Sequence, residues 1–227
     1  MKKKVIINIA TEYHSNGQRR LMATLENRYD GDILFWTKES DVGAPLHTDN
    51  PYAFKIYAFE KAKSLGYKNI LWLDASVYCV NDVQPVFDII EKEGYIMQYA
   101  GQKLGAWAND NCLEYFNLTR DDAMDIICYG NAGFLGLNFD FEISNKFFEL
   151  WKKAAIDGIF KGAWNNNNKT ESKDERCKGH RHDLTCGSII AHKLGMEYKK
   201  GTEWLQYAAP DDAVLNDTII FKAQGIN

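Results

Sequence analysis

A short apolar run that stops at a carboxylate limits the fold of this 227-residue chain more than any other feature of its sequence. Residues 70–73, which read Ile-Leu-Trp-Leu, are too few and too rich in β-forming side chains to make a helix, so they predict a buried strand. Asp74 follows directly, at the end of the strand where open α/β sheets bind their ligands. Because burying an unpaired carboxylate is costly, we expect a metal ion, a sugar hydroxyl or a backbone donor beside Asp74.

Strands and helices alternate along most of the chain. The apolar periodicity predicts strands at residues 5–10, 33–36, 70–73, 95–99 and 131–138. It predicts helices at residues 18–27, 51–65, 85–93, around 147–154 and at 183–194, and it gives no clear pattern over residues 101–128. This order predicts one α/β domain over residues 1–227, with a mostly parallel central sheet and helices on both faces. Residues 162–181 are polar and charged, and they predict a mobile loop within the domain.

Charge and composition disfavour several classes of protein. The net charge is −4 and the pI about 5.8, which argues against a broadly basic surface for nucleic acid. No apolar run approaches the roughly 20 residues that span a bilayer, and the stretch at residues 5–10 is too short for a secretion signal. The five cysteines are an odd number without regular spacing, which is typical of reduced thiols. We therefore expect a cytoplasmic protein with no transmembrane segment.

The common nucleotide-binding and hydrolase motifs are missing from the sequence. No Gly-x-Gly-x-x-Gly follows the first predicted strand, and the chain contains neither Gly-x-x-x-x-Gly-Lys nor Gly-x-Ser-x-Gly. Four short polar segments remain as candidates for a site. In chain order they are Thr11-Glu12-Tyr13, Tyr52-Ala53-Phe54-Lys55, Leu73-Asp74-Ala75-Ser76 and Arg181-His182-Asp183.

The order of these four segments resembles that of the nucleotide-sugar-dependent glycosyltransferases of the GT-A fold, over roughly residues 4–200. The resemblance implies a single GT-A-type, Rossmann-like domain, in which Asp74-Ala75-Ser76 is a variant of the Asp-x-Asp motif. It implies transfer of a sugar from a nucleoside diphosphate sugar to a hydroxyl acceptor such as a glycan. A hexose and a UDP-linked donor are the first expectations.

The resemblance also implies roles for individual residues. Thr11 and Tyr13 would contact the base or ribose of the donor. His182 and Asp183 would face the reacting centre as catalytic residues. The other donor-binding residues, which would meet the diphosphate, are Lys55, Asp74, Ser76 and Arg181. The turn that contains Asn131 and Gly133 would carry backbone that faces the acceptor.

A divalent cation, Mn²⁺ or Mg²⁺, is implied at Asp74, because such an ion neutralises the charge that grows on a departing diphosphate. Ser76 is uncharged where the motif of the family has a second carboxylate. Three arrangements stay open. Ser76 binds the ion through a water, His182 or Asp183 supplies the missing ligand, or the enzyme works without a metal.

Other interpretations use the same residues. Asp183 at a helix start is also typical of a simple helix cap. A degenerate, non-catalytic domain that binds a sugar or a partner protein would account for Ser76. A nucleic-acid base as the acceptor would account for a locally basic loop, which contains Lys169, Lys173, Arg176, Lys178 and Arg181.

A zinc site is a further alternative in the same loop. Its candidate ligands lie within ten residues of one another and are Cys177, His180, His182 and Cys186. However, Cys186 falls inside the helix predicted at residues 183–194, and no second cysteine knuckle exists. The sequence therefore disfavours zinc.

Overall fold

The structure is a computed structural model, and it describes residues 4–130, 132–200, 204–207 and 219–224. The strands in these residues are β1 (Lys4–Ile9), β2 (Asp32–Trp36), β3 (Asn69–Leu73), β4 (Val77–Cys79), β5 (Tyr95–Ile96), β6 (Gln98–Lys103), β7 (Ile127–Gly130), β8 (Phe134–Asn138), β9 (Leu205–Tyr207) and β10 (Phe221–Ala223). The α-helices are α1 (Ser15–Leu25), α2 (Phe54–Ser64), α3 (Gln84–Glu93), α4 (Asp110–Tyr115), α5 (Arg120–Asp125), α6 (Glu142–Ile156) and α7 (His182–Lys193).

The largest sheet in the described part of the chain is mixed, whereas the sequence predicted a mostly parallel one. Its strand order is β2-β1-β3-β8-β5, with β3 at the centre. β2 and β3 run parallel to β1, but β8 is antiparallel to both of its neighbours, β3 and β5. The strands β2, β3 and β5 each follow a helix that returns the chain to the same end of the sheet. β8 follows β7 through a short turn instead, so it enters from the opposite end.

Helices cover both faces of this sheet, as the sequence predicted. Alternate residues of β1 point to opposite faces, so that Ile7 joins one apolar core and Ile6 the other. The core on the Ile7 side contains residues of α2, α6 and α7, including Phe59 and Trp151. The core on the Ile6 side contains residues of α1 and α3, including Phe87. Full burial of each large apolar side chain contributes about 1.5–3 kcal/mol to folding, which fixes the helices against the sheet.

Two small sheets lie beside the carboxyl end of β3. β6 and β7 form an antiparallel ribbon, and half of its ten strand residues fall in residues 101–128, where the sequence shows no clear pattern. β10 pairs with β4 antiparallel and with β9 parallel. Residues of both small sheets line cavities that also contain Asp74. They therefore build the walls around the strand end that the sequence singled out.

Helix boundaries differ from the predicted ones by a few residues. α2 begins at Phe54 and not at Pro51, because the side chain of Asn50 does not cap it but donates a hydrogen bond to the Ala155 carbonyl, 2.8 Å away. α3 ends as predicted at Gly94, whose φ of +90° is a left-handed conformation that glycine adopts without strain.

Residues 162–181, predicted as a mobile loop, contain no helix or strand. Asn166 forms hydrogen bonds to other residues of the same loop. Its backbone N–H donates to the Lys178 carbonyl (2.9 Å), and its side chain donates to the Ser172 carbonyl (2.8 Å). Mobility of this loop stays a prediction.

Two further features bear on the expectations from composition. Every helix in the described residues is too short or too polar to cross a membrane. The five cysteines are buried free thiols, and the Sγ atoms of Cys112 and Cys186 lie 4.0 Å apart.

Candidate active site

Asp74 lies where the sequence predicted it, directly after the central strand β3. Its backbone N–H donates to the Gly133 carbonyl at the entrance to β8, over 2.9 Å. The indole Nε1 of Trp72 donates to Asp74 Oδ1 over 2.6 Å. The side chain is 32% exposed, and its other oxygen, Oδ2, has no hydrogen-bond partner among the described residues. Oδ1 of the carboxylate is thus hydrogen-bonded within the protein, whereas Oδ2 is available to a ligand.

Lys55 lies beneath Asp74 and is surrounded by oxygen atoms. It projects from α2, and its side chain is only 1% exposed. The ammonium Nζ donates to the Ala132 carbonyl at 2.7 Å, and it forms ion pairs with Asp183 Oδ2 at 2.9 Å and Asp74 Oδ1 at 3.3 Å. Since an ammonium has three donors, these three oxygens satisfy it. We call Lys55, Asp74 and Asp183 together the Lys55 cluster.

Asp183 completes the cluster from the first turn of α7. Its side chain is 4% exposed, and the positive end of the helix dipole favours a carboxylate there. Burial raises the pKa of Asp183 above its ordinary value, although the neighbouring Lys55 acts to lower it. Burial acts to lower the pKa of Lys55, but the Asp183 and Asp74 carboxylates outweigh it and raise that pKa. Lys55 thus forms ion pairs with two carboxylates at once.

His182 lies behind this cluster. Its Nδ1–H donates to the Phe160 carbonyl over 2.7 Å, and its Nε2 has no partner among the described residues. Its ring packs against those of Tyr52 and Trp164, with centroids 5.3 and 5.2 Å away. Burial lowers the pKa of His182, so the ring is neutral at pH 7. The φ of +48° at His182 is strained for a residue other than glycine, and this backbone turn directs the next residue, Asp183, towards Lys55.

Two cavities meet at Asp74. The first cavity has a volume of about 460 Å³, and the second has a volume of about 470 Å³. Tyr52, Asp74 and Tyr207 line both. The other residues that matter in the first cavity are Lys55, Gln102, Gly133, Trp164, Arg181, Asp183 and Gln206. In the second they are Ile9, His14, Phe54, Trp72, Ala75 and Ser76.

The expected donor residues separate into three groups in the structure. Ser76 lines the second cavity, and Arg181 lines the first. Thr11 and Tyr13 line neither. Tyr13 is 75% exposed and packs edge-on against His14, which faces the second cavity in its place. Lys55 lines the first cavity but is enclosed by oxygens of Ala132, Asp74 and Asp183.

The expected acceptor turn is described in part. Asn131 lies outside the described residues. Gly133 lines the first cavity, and its carbonyl accepts the backbone hydrogen bond of Asp74. Because the neighbouring Ala132 carbonyl accepts from Lys55, both described residues of the turn are tied to the Lys55 cluster.

Several cavity residues gave no functional signal in the sequence. Tyr52 lies in a segment that the sequence singled out, and in the structure it lines both cavities. Its backbone φ is +60°, and no local pattern in the sequence predicted this position or this conformation. Gln206 and Tyr207 come from β9, far along the chain, and the pairing of β9 with β10 and the hydrogen bonds between Gln98 and Leu205 bring them to Asp74. Such long-range placement leaves no local pattern to detect.

The donor atoms at Asp74 fit a cation that takes most of its ligands from water and phosphate. The open Oδ2 of Asp74 offers one hard oxygen, and Mg²⁺ in particular is commonly bound by one or two carboxylates plus substrate phosphates. No group of three or more His, Cys, Asp or Glu side chains in the described residues is arranged to hold a metal ion. Asp183 Oδ2 is paired with Lys55 at 2.9 Å, as Asp74 Oδ1 is at 3.3 Å.

The candidate zinc ligands contact backbone carbonyls. The imidazole of His180 and the thiol of Cys186 both contact the Ile159 carbonyl, and the imidazole of His182 contacts the Phe160 carbonyl. The Cys177 thiol donates to the Ala108 carbonyl, and the Cys186 thiol also lies beside Cys112. Among the described residues, these side chains do not form a group of three or more that could hold a metal ion.

Known proteins resemble this chain in structure but not detectably in sequence. Comparison with protein-family models finds no match, and comparison with curated proteins finds none. The apo structure of the bifunctional glycosyltransferase WbbM matches 98% of this chain with a TM-score of 0.56 and 9% identity. The apo structure of mouse xyloside xylosyltransferase 1 matches 97% with a TM-score of 0.54 and 9% identity. The chain has a glycosyltransferase fold.

The extent of these matches differs. The chain spans 45% of the length of WbbM and 97% of the length of the xylosyltransferase. The galactosyltransferase LgtC, solved with donor and acceptor sugar analogues, matches 97% of this chain and 86% of its own, with a TM-score of 0.47 and 11% identity. At such identities the likeness identifies the fold, and the activity has to follow from the residues of the site.

Proposed function

We propose that this protein is a glycosyltransferase that moves a sugar, a hexose in the first instance, from a nucleoside diphosphate sugar to a hydroxyl acceptor. One observation carries the proposal. On a glycosyltransferase fold, a buried lysine holds two carboxylates where two cavities meet, and one of those carboxylates lies at the carboxyl end of the central strand. A two-substrate transfer needs such a junction, because the reacting atoms of donor and acceptor have to come within about 3–3.5 Å.

The second cavity suits the nucleotide of the donor. Its wall contains the aromatic side chain of Phe54, against which a base can stack, and the polar group of Ser76 just after β3. UDP is the nucleotide we propose. The diphosphate would then lie at Asp74, which lines both cavities.

The charge of the Lys55 cluster supports an added cation at this point. One ammonium and two carboxylates sum to −1, which repels a diphosphate. We propose that Asp74 Oδ2 binds Mn²⁺ or Mg²⁺, which would offset the charge that develops on the leaving diphosphate.

The first cavity suits the acceptor, because Asp183 lines it and does not line the second cavity. We propose that Asp183 accepts the proton of the acceptor hydroxyl. The acceptor oxygen forms a bond to the anomeric carbon of the donor sugar, and the bond from that carbon to the diphosphate oxygen breaks, leaving its electron pair on the diphosphate. The raised pKa of Asp183 suits a general base. His182 is a positioning residue, because its neutral ring is hydrogen-bonded to the Phe160 carbonyl and holds the start of α7 in place. The backbone of Gly133 lines the first cavity and would face the acceptor.

A panel of nucleotide sugars tests this proposal. We expect at least one of them to be hydrolysed, or its sugar transferred, and Asp183→Asn to keep donor binding while losing about 100-fold or more in rate. Binding is measured by calorimetry, and turnover by release of the nucleotide. A panel that gives no turnover but shows sugar binding would instead support the non-catalytic alternative, and near-normal turnover of Asp183→Asn would leave Asp183 a helix cap.

No observation favours a nucleic-acid acceptor. Two of the five basic residues of the loop are paired with acids: Arg176 pairs with Asp174 and Asp121, at 2.7 Å each, and Lys169 pairs with Glu175 at 3.6 Å.

A further inference from the structure

Arg181 is held rigidly at the edge of the first cavity. Its guanidinium carbon lies 3.9 Å from the ring centroid of Trp107 and 4.6 Å from that of Trp164. Its backbone N–H donates to the Trp107 carbonyl over 3.2 Å. Stacking covers the faces of a guanidinium and leaves its in-plane N–H groups to recognise a ligand. The side chain is thus pre-organised and loses little entropy on binding.

The charge of Arg181 is not neutralised within the described part of the protein. No carboxylate there forms an ion pair with it, and its buried Nε has no hydrogen-bond partner. Lys55 differs, because it pairs with both Asp74 and Asp183. A guanidinium without a protein partner beside a cavity is a binding group for an oxyanion.

The position of Arg181 indicates which substrate carries that oxyanion. Arg181 and Asp183 lie at the start of α7, and both line the first cavity and not the second. Ser76, which continues from the strand end, lines only the second cavity. Arg181 is therefore on the side of the proposed base, where the acceptor hydroxyl has to lie, and not on the side of the nucleotide.

Uncharged groups around Arg181 suit the rest of a sugar ring. The side-chain amides of Gln102 and Gln206 line the same cavity and have no hydrogen-bond partners among the described residues. Trp164, which is 48% exposed, offers an apolar face. An anion near Asp183 and Asp74 would be repelled by both carboxylates, and Arg181 is the group that offsets this repulsion.

We propose that Arg181 selects an acceptor that carries an anionic group, a carboxylate or a phosphate, close to the hydroxyl that receives the sugar. This inference rests on the proposed function. It departs from the expectation that Arg181 binds the phosphates of the donor, and the experiment separates the two.

The experiment compares matched acceptors that differ only in charge. One pair is methyl β-glucuronide and methyl β-glucoside, and a second is glucose 6-phosphate and glucose. With wild-type protein we expect the charged member to have the higher kcat/KM, by about 10- to 100-fold, as for a hydrogen bond to a charged group. The first pair tests a carboxylate and the second a phosphate. If none of these compounds accepts sugar, the same order is measured as inhibition of donor hydrolysis.

Arg181→Gln should reduce this preference to about onefold, because the variant lacks the charge that recognises the anionic group. Arg181→Lys should restore part of it. The matched control is Lys178→Gln, which removes a cation from the same loop but outside the first cavity and should change nothing. Thermal unfolding verifies that each variant is folded.

Three results overturn the inference. The first is no preference for the charged member in the wild type, by either readout. The second is a preference that survives in Arg181→Gln. The third is a loss of UDP affinity in Arg181→Gln, together with a loss of kcat/KM that is equal for all acceptors. That result would assign Arg181 to the donor. Failure of the proposed function is recognised separately, because no nucleotide sugar would then be turned over at all.

Discussion

Lys55→Met removes the charge at the centre of the Lys55 cluster while keeping an unbranched apolar stem. At an Nζ–Oδ2 distance of 2.9 Å, the attraction between Lys55 and Asp183 is about 6 kcal/mol for an effective dielectric constant of about 20. Removing one partner of a buried pair costs about 3–5 kcal/mol, because the other charge stays buried. Since Asp183 is 4% exposed, we expect the free energy of unfolding to fall by about 3–5 kcal/mol at pH 7.

Urea unfolding followed by circular dichroism measures this loss. Lys152→Met is a matched control, because Lys152 pairs with Glu60 where both side chains are about a third exposed, and it should lose less than about 1 kcal/mol. Adding Asp183→Asn to Lys55→Met removes the stranded charge and should recover much of the stability. If Lys55→Met is no more damaging than the control, the cluster does not hold the site together.

The loss in Lys55→Met should also depend on pH. Without Lys55, the largest influence that lowers the pKa of Asp183 is gone, and burial raises this pKa further. Between the unfolded pKa of about 3.9 and the higher folded one, the folded state binds more protons than the unfolded state, so stability falls as pH rises through that window. The deficit relative to wild type should therefore shrink as the pH is lowered from 7 towards about 4. A deficit that stays constant over this range would mean that Asp183 is not the stranded charge.

Two further outcomes concern activity. In the wild type, kcat/KM should fall as the pH is lowered, with a midpoint above the ordinary aspartate pKa of about 3.9. The reason is that Asp183 acts as a base only when deprotonated, and burial raises its pKa. A pH profile that stays flat down to pH 4 would contradict this role. Excess chelator should abolish most of the transfer, Mn²⁺ should restore it, and Asp74→Asn should weaken Mn²⁺-dependent UDP binding. Full turnover in chelator would remove the metal from the proposal.

The parts of the fold that the sequence predicted are those specified by local pattern. The apolar run at residues 70–73 is β3, and α3 ends at the glycine that a helix terminus prefers. The sequence predicted a mostly parallel sheet, but β8 is antiparallel to β3 and β5, because no crossover helix lies between β7 and β8. The β6–β7 ribbon was not recognised, since its pairing gives little periodicity in either strand.

The site shows the same division between local and long-range information. The sequence singled out Asp74 and Asp183, because one follows an apolar strand and the other begins a helix. The resemblance to the GT-A family implied that Lys55 would meet the diphosphate. The packing of α2 under the strand end buries Lys55 instead, between acids that are 109 residues apart in the chain (74 and 183). Two carboxylates that looked separate in the sequence are therefore one charged unit in the fold, and neither can be changed without altering the environment of the other.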